Sequence, residues 1–232
     1  MQKIKILGVS GSPRKNGNTS KLVERALEGA ARVAGVETEL YQLAGKKIHH
    51  CISCYKCLEK GTCVFEDDLE DFIKRYLGAD GILWGAPVYH MSVPASMKAL
   101  LDRLGNILLI HYLCQGRSMP RFCKVCGVLT GGGHRYGGQD LVLSFLANSC
   151  LMLNGVVVSG DTLIGSYIGA AAWTGGMEPF AKDNVLNDEE GLTNAESVGK
   201  RVAETTAIIK AGKEALGDKL PEDYSYDWDQ KE

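Results

Sequence analysis

Five short apolar runs, each followed by a stretch with helical spacing or by the chain's glycine-rich second half, limit the fold more than any other feature. Ile4, Ile6, Leu7 and Val9 make the first run, and Leu22, Val23, Ala26, Leu27, Ala30, Val33 and Ala34 then recur every three to four residues. Gly35 ends that helix, and VETELYQL at 36–43 alternates apolar and polar residues as a half-buried strand does. A helix opened by Asp67 or Asp68 buries Leu69, Phe72, Ile73, Tyr76 and Leu77 and stops at Gly78. Residues 81–84 form the third strand, which Pro87 ends, and a helix from Pro94 carries Met97, Leu100, Leu101 and Leu104 on one face. FCKVCGVLT at 122–130 is the fourth strand, Leu141, Val142, Phe145, Leu146 and Leu153 the next helix, and 156–158 the fifth strand. Such alternation predicts an α/β protein: a doubly wound five-stranded parallel sheet, order 2-1-3-4-5, with helices on both faces.

The turn between the first strand and helix, SGSPRKNGNTS at 10–20, is built for an anion. Free N–H groups at a helix start carry roughly +0.5 of a charge. Ser10, Ser12, Asn18, Thr19 and Ser20 add donors, Arg14 and Lys15 add positive charge, and no carboxylate occurs before Glu24. A Walker loop is absent, because Gly11 and Gly17 are one residue too far apart and Asn18 follows; so is the G-x-G-x-x-G dinucleotide fingerprint. A monophosphate is the guest that remains, and a plain capped turn is the alternative. In a 2-1-3-4-5 sheet this turn meets 86–92 (APVYHMS) and 130–139 (TGGGHRYGGQ), whose Tyr89, His90, His134 and Tyr136 can face a flat ring.

CISCYKCLEKGTC supplies the second signal: Cys51, Cys54, Cys57 and Cys63 in the spacing C-x2-C-x2-C-x5-C. Two intervening residues let successive thiolates turn toward one cubane, and the longer step, bent at Gly61, carries the fourth to the remaining iron, so one self-contained [4Fe–4S] site fits. Zinc is a rival, although four-cysteine zinc sites usually arrive as two separated C-x-x-C pairs. Free thiols, one of them redox-active beside Lys56 or Lys60, are the other rival. Cys123, Cys126 and Cys150 read as buried small hydrophobes, Cys114 has no assignment, and His49 and His50 read as surface.

The composition narrows the partners. A chain of 232 residues with 45% hydrophobic content buries one core, assigned to 1–212, with 213–232 as a C-terminal tail. A net charge of -2 gives neither a nucleic-acid footprint nor a polybasic membrane anchor. No apolar stretch reaches the roughly 20 residues of a membrane span and no signal-peptide pattern opens the chain, so a cytoplasmic location with reduced cysteines is expected. Residues 161–193 show no definite element; Tyr167, Ile168, Trp173 and Met177 there suggest a subunit contact or a cover over the ligand. Helical spacing returns over 195–212, and the acidic tail from Pro221 carries Tyr224, Tyr226 and Trp228.

From about residue 3 to 212 the chain resembles the flavodoxin-like NAD(P)H-dependent FMN reductases and, within them, the iron–sulfur flavoproteins. The resemblance rests on SGSPRKNGNTS, CISCYKCLEKGTC followed by EDD, GAPVYHMSVPASMKALLDR, and TGGG with the later GG. It implies that Ser10, Ser12, Arg14, Asn18, Thr19 and Ser20 hold the FMN phosphate, that Pro87, Val88, Tyr89 and His90 line the isoalloxazine, and that Thr130, Gly131, Gly132 and Tyr136 close its other edge. Cys51, Cys54, Cys57 and Cys63 would ligate the cluster. The activity expected is that of a homo-oligomeric (dimer or tetramer) electron-transfer oxidoreductase, passing electrons between cluster, FMN and a small oxidant with ferredoxin or NAD(P)H as donor. The alternative is a cluster-free NAD(P)H-dependent FMN or quinone reductase.

Overall fold

A computed structural model describes residues 3–121, 123–175 and 183–224. Phe122, Met177, Tyr226 and Trp228, named in the sequence analysis, lie outside the described residues, as does the side chain of Lys60. Strands β1 (Ile4–Ser10), β2 (Val36–Gln42), β3 (Gly81–Pro87), β4 (Val125–Gly132) and β5 (Val156–Val157) form a parallel sheet in the order β2-β1-β3-β4-β5. That is the order expected from the alternation.

Two apolar cores flank the sheet because alternate strand residues point to opposite faces. Ile4 and Ile6 of β1 and Leu83 of β3 meet α1 (Asn18–Ala31) and α6 (Glu189–Leu216) on one face. Leu7, Val9, Ile82 and Trp84 meet α3 (Leu69–Gly78), α4 (Ala95–Cys114) and α5 (Gln139–Met152) on the other. Phe72 and Tyr76 pack against Trp84 with ring centroids 5.9 and 6.2 Å apart. Helices α1 and α6 cross almost backbone to backbone: a Cβ on Gly199 would lie 1.7 Å from the Ala26 carbonyl oxygen, and one on Gly29 2.1 Å from that of Glu196. A one-turn helix, α2 (Cys57–Lys60), sits in the cysteine segment.

The second half departs from the sequence reading in three places. The segment 161–193 contains a strand, β6 (Ala170–Trp173), which pairs with β4 from Leu129↔Ala170 to Gly132↔Trp173. The fifth sheet position is thus split: β5 fills its lower part and β6 its upper part. Gly169 allows this approach, since a Cβ there would lie 2.2 Å from the Val128 carbonyl oxygen. Helix α6 begins at Glu189, six residues before the expected 195, because the Asp188 carboxylate accepts the Gly191 N–H at 3.1 Å and so caps it. Cys123 precedes β4 in a left-handed conformation (φ 52°) and is half-buried, whereas Cys126 and Cys150 are buried as expected. Among the described residues no helix is long and apolar enough to cross a membrane.

Candidate functional site

The loops after β1, β3 and β4 meet above the sheet where its winding reverses, with Ser10 opposite Gly85 and Pro87 opposite Gly131. Three hydrogen bonds lock them: Gly11 N–H to the Gly85 carbonyl at 2.7 Å, Val88 N–H to the Gly131 carbonyl at 3.0 Å, and the Thr130 hydroxyl to the Ala86 carbonyl at 2.8 Å. Across the top, the open side of Gly138 faces Met91, whose sulfur would be 3.1 Å from a Cβ there.

In the first loop, α1 starts with no side-chain cap and no acidic residue in its first turn, so its leading N–H groups face outward unneutralised. Ser12 and Thr19 are buried beside them, and Arg14 and Lys15 are exposed. Ser10 and Ser20 are fully buried beneath them. Their hydroxyls pair at 3.0 Å, and Ser20 also donates to Gln42 Oε1 at 3.0 Å. Gln42 continues the network, accepting the Asn16 N–H at 2.9 Å and donating to Asn16 Oδ1 at 2.9 Å. Gln42 was not singled out in the sequence; its signal there was a polar residue ending a strand adjacent to β1. Asn18 Oδ1 accepts the Val185 N–H at 3.1 Å and ties the loop to the chain before α6.

In the second loop, Tyr89 and Ser92 exchange backbone hydrogen bonds of 2.8 and 3.0 Å around His90 and Met91, which take left-handed φ values of 48° and 65°. This two-residue reverse turn normally uses Asn-Gly, and each non-glycine residue in it stores about 1–3 kcal/mol of strain. In the third loop, Gly131 and Gly132 are buried, whereas Tyr136 is 99% exposed and faces solvent. Trp173, at the end of β6, adjoins this loop instead: its Nε1–H donates to the Gly133 carbonyl at 2.9 Å, and Arg135 stacks on its ring at 4.9 Å.

A separate cavity of about 130 Å³ lies beside α4, and Cys51, Cys54, Cys57 and Cys63 all line it together with Ile52, Phe65, Arg103, Asn106, Ile107 and Ile110. Burial pushes the Cys57 thiol up, and the other three thiols add to the rise. Asn106 Nδ2 reaches Cys51 Sγ at 3.5 Å. Among the described residues, no three His, Cys, Asp or Glu side chains converge as a single metal ion requires.

Asp67 anchors both ends of the cysteine segment. Its carboxylate accepts the His49 N–H at 2.9 Å, the Leu69 N–H at 3.2 Å and Arg103 Nη1 at 2.5 Å, so Asp67 rather than Asp68 supplies the side-chain bond at the start of α3. Burial opposes its charge, but Arg103 and the two backbone N–H groups outweigh burial and hold the carboxyl below its usual range. Arg103 also donates to the His49 carbonyl at 3.2 Å. In the sequence Arg103 is simply the final residue of GAPVYHMSVPASMKALLDR. An arginine on an otherwise apolar helix face was the available signal.

A larger cavity of about 700 Å³ opens at the opposite end of the sheet. Most of its cations are engaged: Lys210 with Asp80, Arg121 with Asp223, and Lys124 with the Leu77 and Ala79 carbonyls. It lies far from the loops where a doubly wound sheet binds ligands.

Sheet order and loop placement together define a flavodoxin-like protein. Two solved structures share this fold: a flavone reductase (TM-score 0.62, 22% identity, covering 89% of this chain and 64% of that one) and a WrbA-like flavodoxin from Agrobacterium tumefaciens (TM-score 0.58, 18% identity, 89% and 99%). The model of the NADPH-dependent FMN reductase family matches residues 4–168. An iron-sulfur flavoprotein of Methanocaldococcus jannaschii is 37% identical over 89% of this chain and 100% of its own length, and one of Methanosarcina thermophila is 30% identical over 91% and 100%. The chain therefore belongs to the NADPH-dependent FMN reductase family, in its iron–sulfur flavoprotein branch. It is an FMN-dependent oxidoreductase.

Proposed function

We propose that the protein is an electron-transfer flavoprotein in which FMN occupies the three loops and a [4Fe–4S] cluster the cysteine cavity, passing electrons between a donor, the two cofactors and a small oxidant. The uncapped, acid-free start of α1 at the sheet's reversal point carries the FMN half of this reading. Its N–H groups, with Ser12, Thr19 and Arg14, bind the phosphate, while Ser10, Ser20, Gln42 and Asn16 hold the loop in shape from below. Pro87, Val88, Tyr89 and His90 line one side of the ring, and Thr130, Gly131 and Gly132 its other edge. Tyr136, on the same loop and exposed, is free to close over that edge. FMN takes up two electrons and releases them singly, and a cluster carries one at a time.

Four cysteines lining one cavity are the ligand set that a [4Fe–4S] cluster takes. The names of the relatives support the same reading. Exposed Ile52, Tyr55, Leu58, Leu109 and Leu113 beside the cysteine segment and on α4 support a homo-oligomer, dimer or tetramer. Ferredoxin or NAD(P)H is the donor. The second reading, a cluster-free NAD(P)H-dependent FMN or quinone reductase, is favoured by the nicotinamide in the family's description.

Titration of the apoprotein with FMN and with riboflavin tests the phosphate assignment. Ser12→Ala with Thr19→Ala should weaken FMN binding about tenfold or more, because a hydrogen bond to a charged group contributes about 1.5–3 kcal/mol, and leave riboflavin binding unchanged. Equal loss for both ligands contradicts the assignment. Iron and sulfide assays on anaerobically purified protein should find about four of each per chain. A flavin-only spectrum would select the second reading.

A further inference from the structure

Arg103 is 1% exposed and its ion-pair partner Asp67 3%. Its Nη1 is occupied by Asp67 and the His49 carbonyl, but Nε and Nη2 are buried with no hydrogen-bond partner. Those two nitrogens form the edge with which a guanidinium grips an anion side-on. Leaving buried N–H groups unpaired is costly, and native structures rarely do so without a reason. Arg103 lines the cysteine cavity, and the Cys63 thiol lies close enough to act on it. One turn along α4, Asn106 meets Cys51, so positions 103, 106, 107 and 110 present a single helix face to the cavity.

We propose that Arg103 is the anion receptor of the cysteine cavity: its Nε–Nη2 edge donates to the Cys63 thiolate when the four cysteines hold a cluster, and sets the cluster's potential. The inference rests on the [4Fe–4S] reading above. Four thiolates around a [4Fe–4S] core of charge +2 leave a net charge of −2, which each added electron deepens, so a buried guanidinium favours the reduced form. Hydrogen bonds to sulfur and local charge are the terms by which a protein tunes such a potential. Asp67 serves as the counter-anchor that fixes the guanidinium's orientation, which makes Arg103 a positioning residue with a defined electrostatic role.

The test is a redox titration, followed by electron paramagnetic resonance, of anaerobically purified full-length protein with iron and sulfide content measured in parallel. Arg103→Gln should lower the cluster potential by at least about 59 mV, the one-electron equivalent of a tenfold change in the reduced-to-oxidised ratio, or lose iron while retaining FMN. Arg103→Lys, which keeps the charge, should fall between Arg103→Gln and the wild type. Should Arg103→Gln fail to fold, Asp67→Asn/Arg103→Gln, which leaves neither charge unpaired, is read the same way. Full iron content at an unshifted potential in the glutamine variant overturns the role of Arg103 and leaves the cluster reading standing. A wild-type protein with neither iron nor sulfide overturns both.

Discussion

Asp67→Asn removes one charge and almost no volume, and its expected cost follows from the hydrogen bonds and the ion pair that it breaks. The carboxylate accepts N–H groups on both oxygens, from His49 and Arg103 on Oδ2 and from Leu69 on Oδ1. An asparagine can serve one side only; its NH2 then faces a donor. Arg103, at 1% exposure, is left with an uncompensated charge. Breaking a buried ion pair from one side destabilises by about 3–5 kcal/mol. In a domain of this size each kcal/mol moves the melting midpoint by roughly 2–4 °C, so a fall of roughly 6–20 °C is expected. Circular dichroism melts and urea titrations of FMN-saturated protein measure it. Asp67→Asn/Arg103→Met, with no unpaired charge, should recover most of the loss. A carboxyl whose folded pKa is lowered gives stability that is complete above its unfolded value, about 3.9, and fades as pH falls through the folded value. The gap between wild type and Asp67→Asn should therefore narrow below about pH 4. A loss under about 1 kcal/mol at neutral pH would refute the clamp, because it would mean that the buried Arg103 charge is accommodated without Asp67.

Two further outcomes are expected elsewhere in the fold. Burial pushes the Lys124 ammonium down to about 8, so between there and its ordinary value of 10.5 the unfolded chain binds more protons than the folded one. The Lys124 contribution should rise with pH across that window, by up to about 3 kcal/mol, read in urea titrations as the stability difference between wild type and Lys124→Met, since buried Cys150 and Tyr76, held protonated by the fold, act in the opposite direction in both proteins; a difference that stays flat or falls contradicts it. Gly199→Ala drives a Cβ into the Ala26 carbonyl, where only backbone can yield, and should cost about 1–3 kcal/mol or more in the same assay. An unchanged urea midpoint would show that α1 and α6 slide apart freely.

The parallel order was legible because its cause is local: each apolar run is bounded by glycine, proline or a helix start, and runs that alternate with helices have one common way to bury both faces of a sheet. Strand β6 was illegible for the opposite reason. Four residues, three of them alanine, carry no strand preference of their own, and Ala170–Trp173 extends only because β4 offers Leu129–Gly132 as a hydrogen-bonding edge. The start of α6 was missed although its cap, Asp188, stands in the sequence. The glycines and exposed apolar residues before it resemble a loop until β6 is in place, and Asp188 joins the two by also accepting the Trp173 N–H at 2.6 Å.

At the site, residue types were written in the chain, while their duties came from packing. The acid-free turn at 10–20 announced an anion, because charge and donor content need no partner to be read. Only the folded sheet, by laying Gln42 beside Ser10, tied Ser10, Ser20 and Gln42 into one hydrogen-bonded network under that turn. Likewise the spacing of four cysteines pointed to one cluster, zinc or free thiols, yet the arginine whose buried N–H groups go unmatched comes from a helix some forty residues later. Local pattern determines which segments become strands, helices and anion-binding turns. Which side chains share a buried space, and hence which are left with unmet charge or hydrogen bonds, is decided only when distant segments pack.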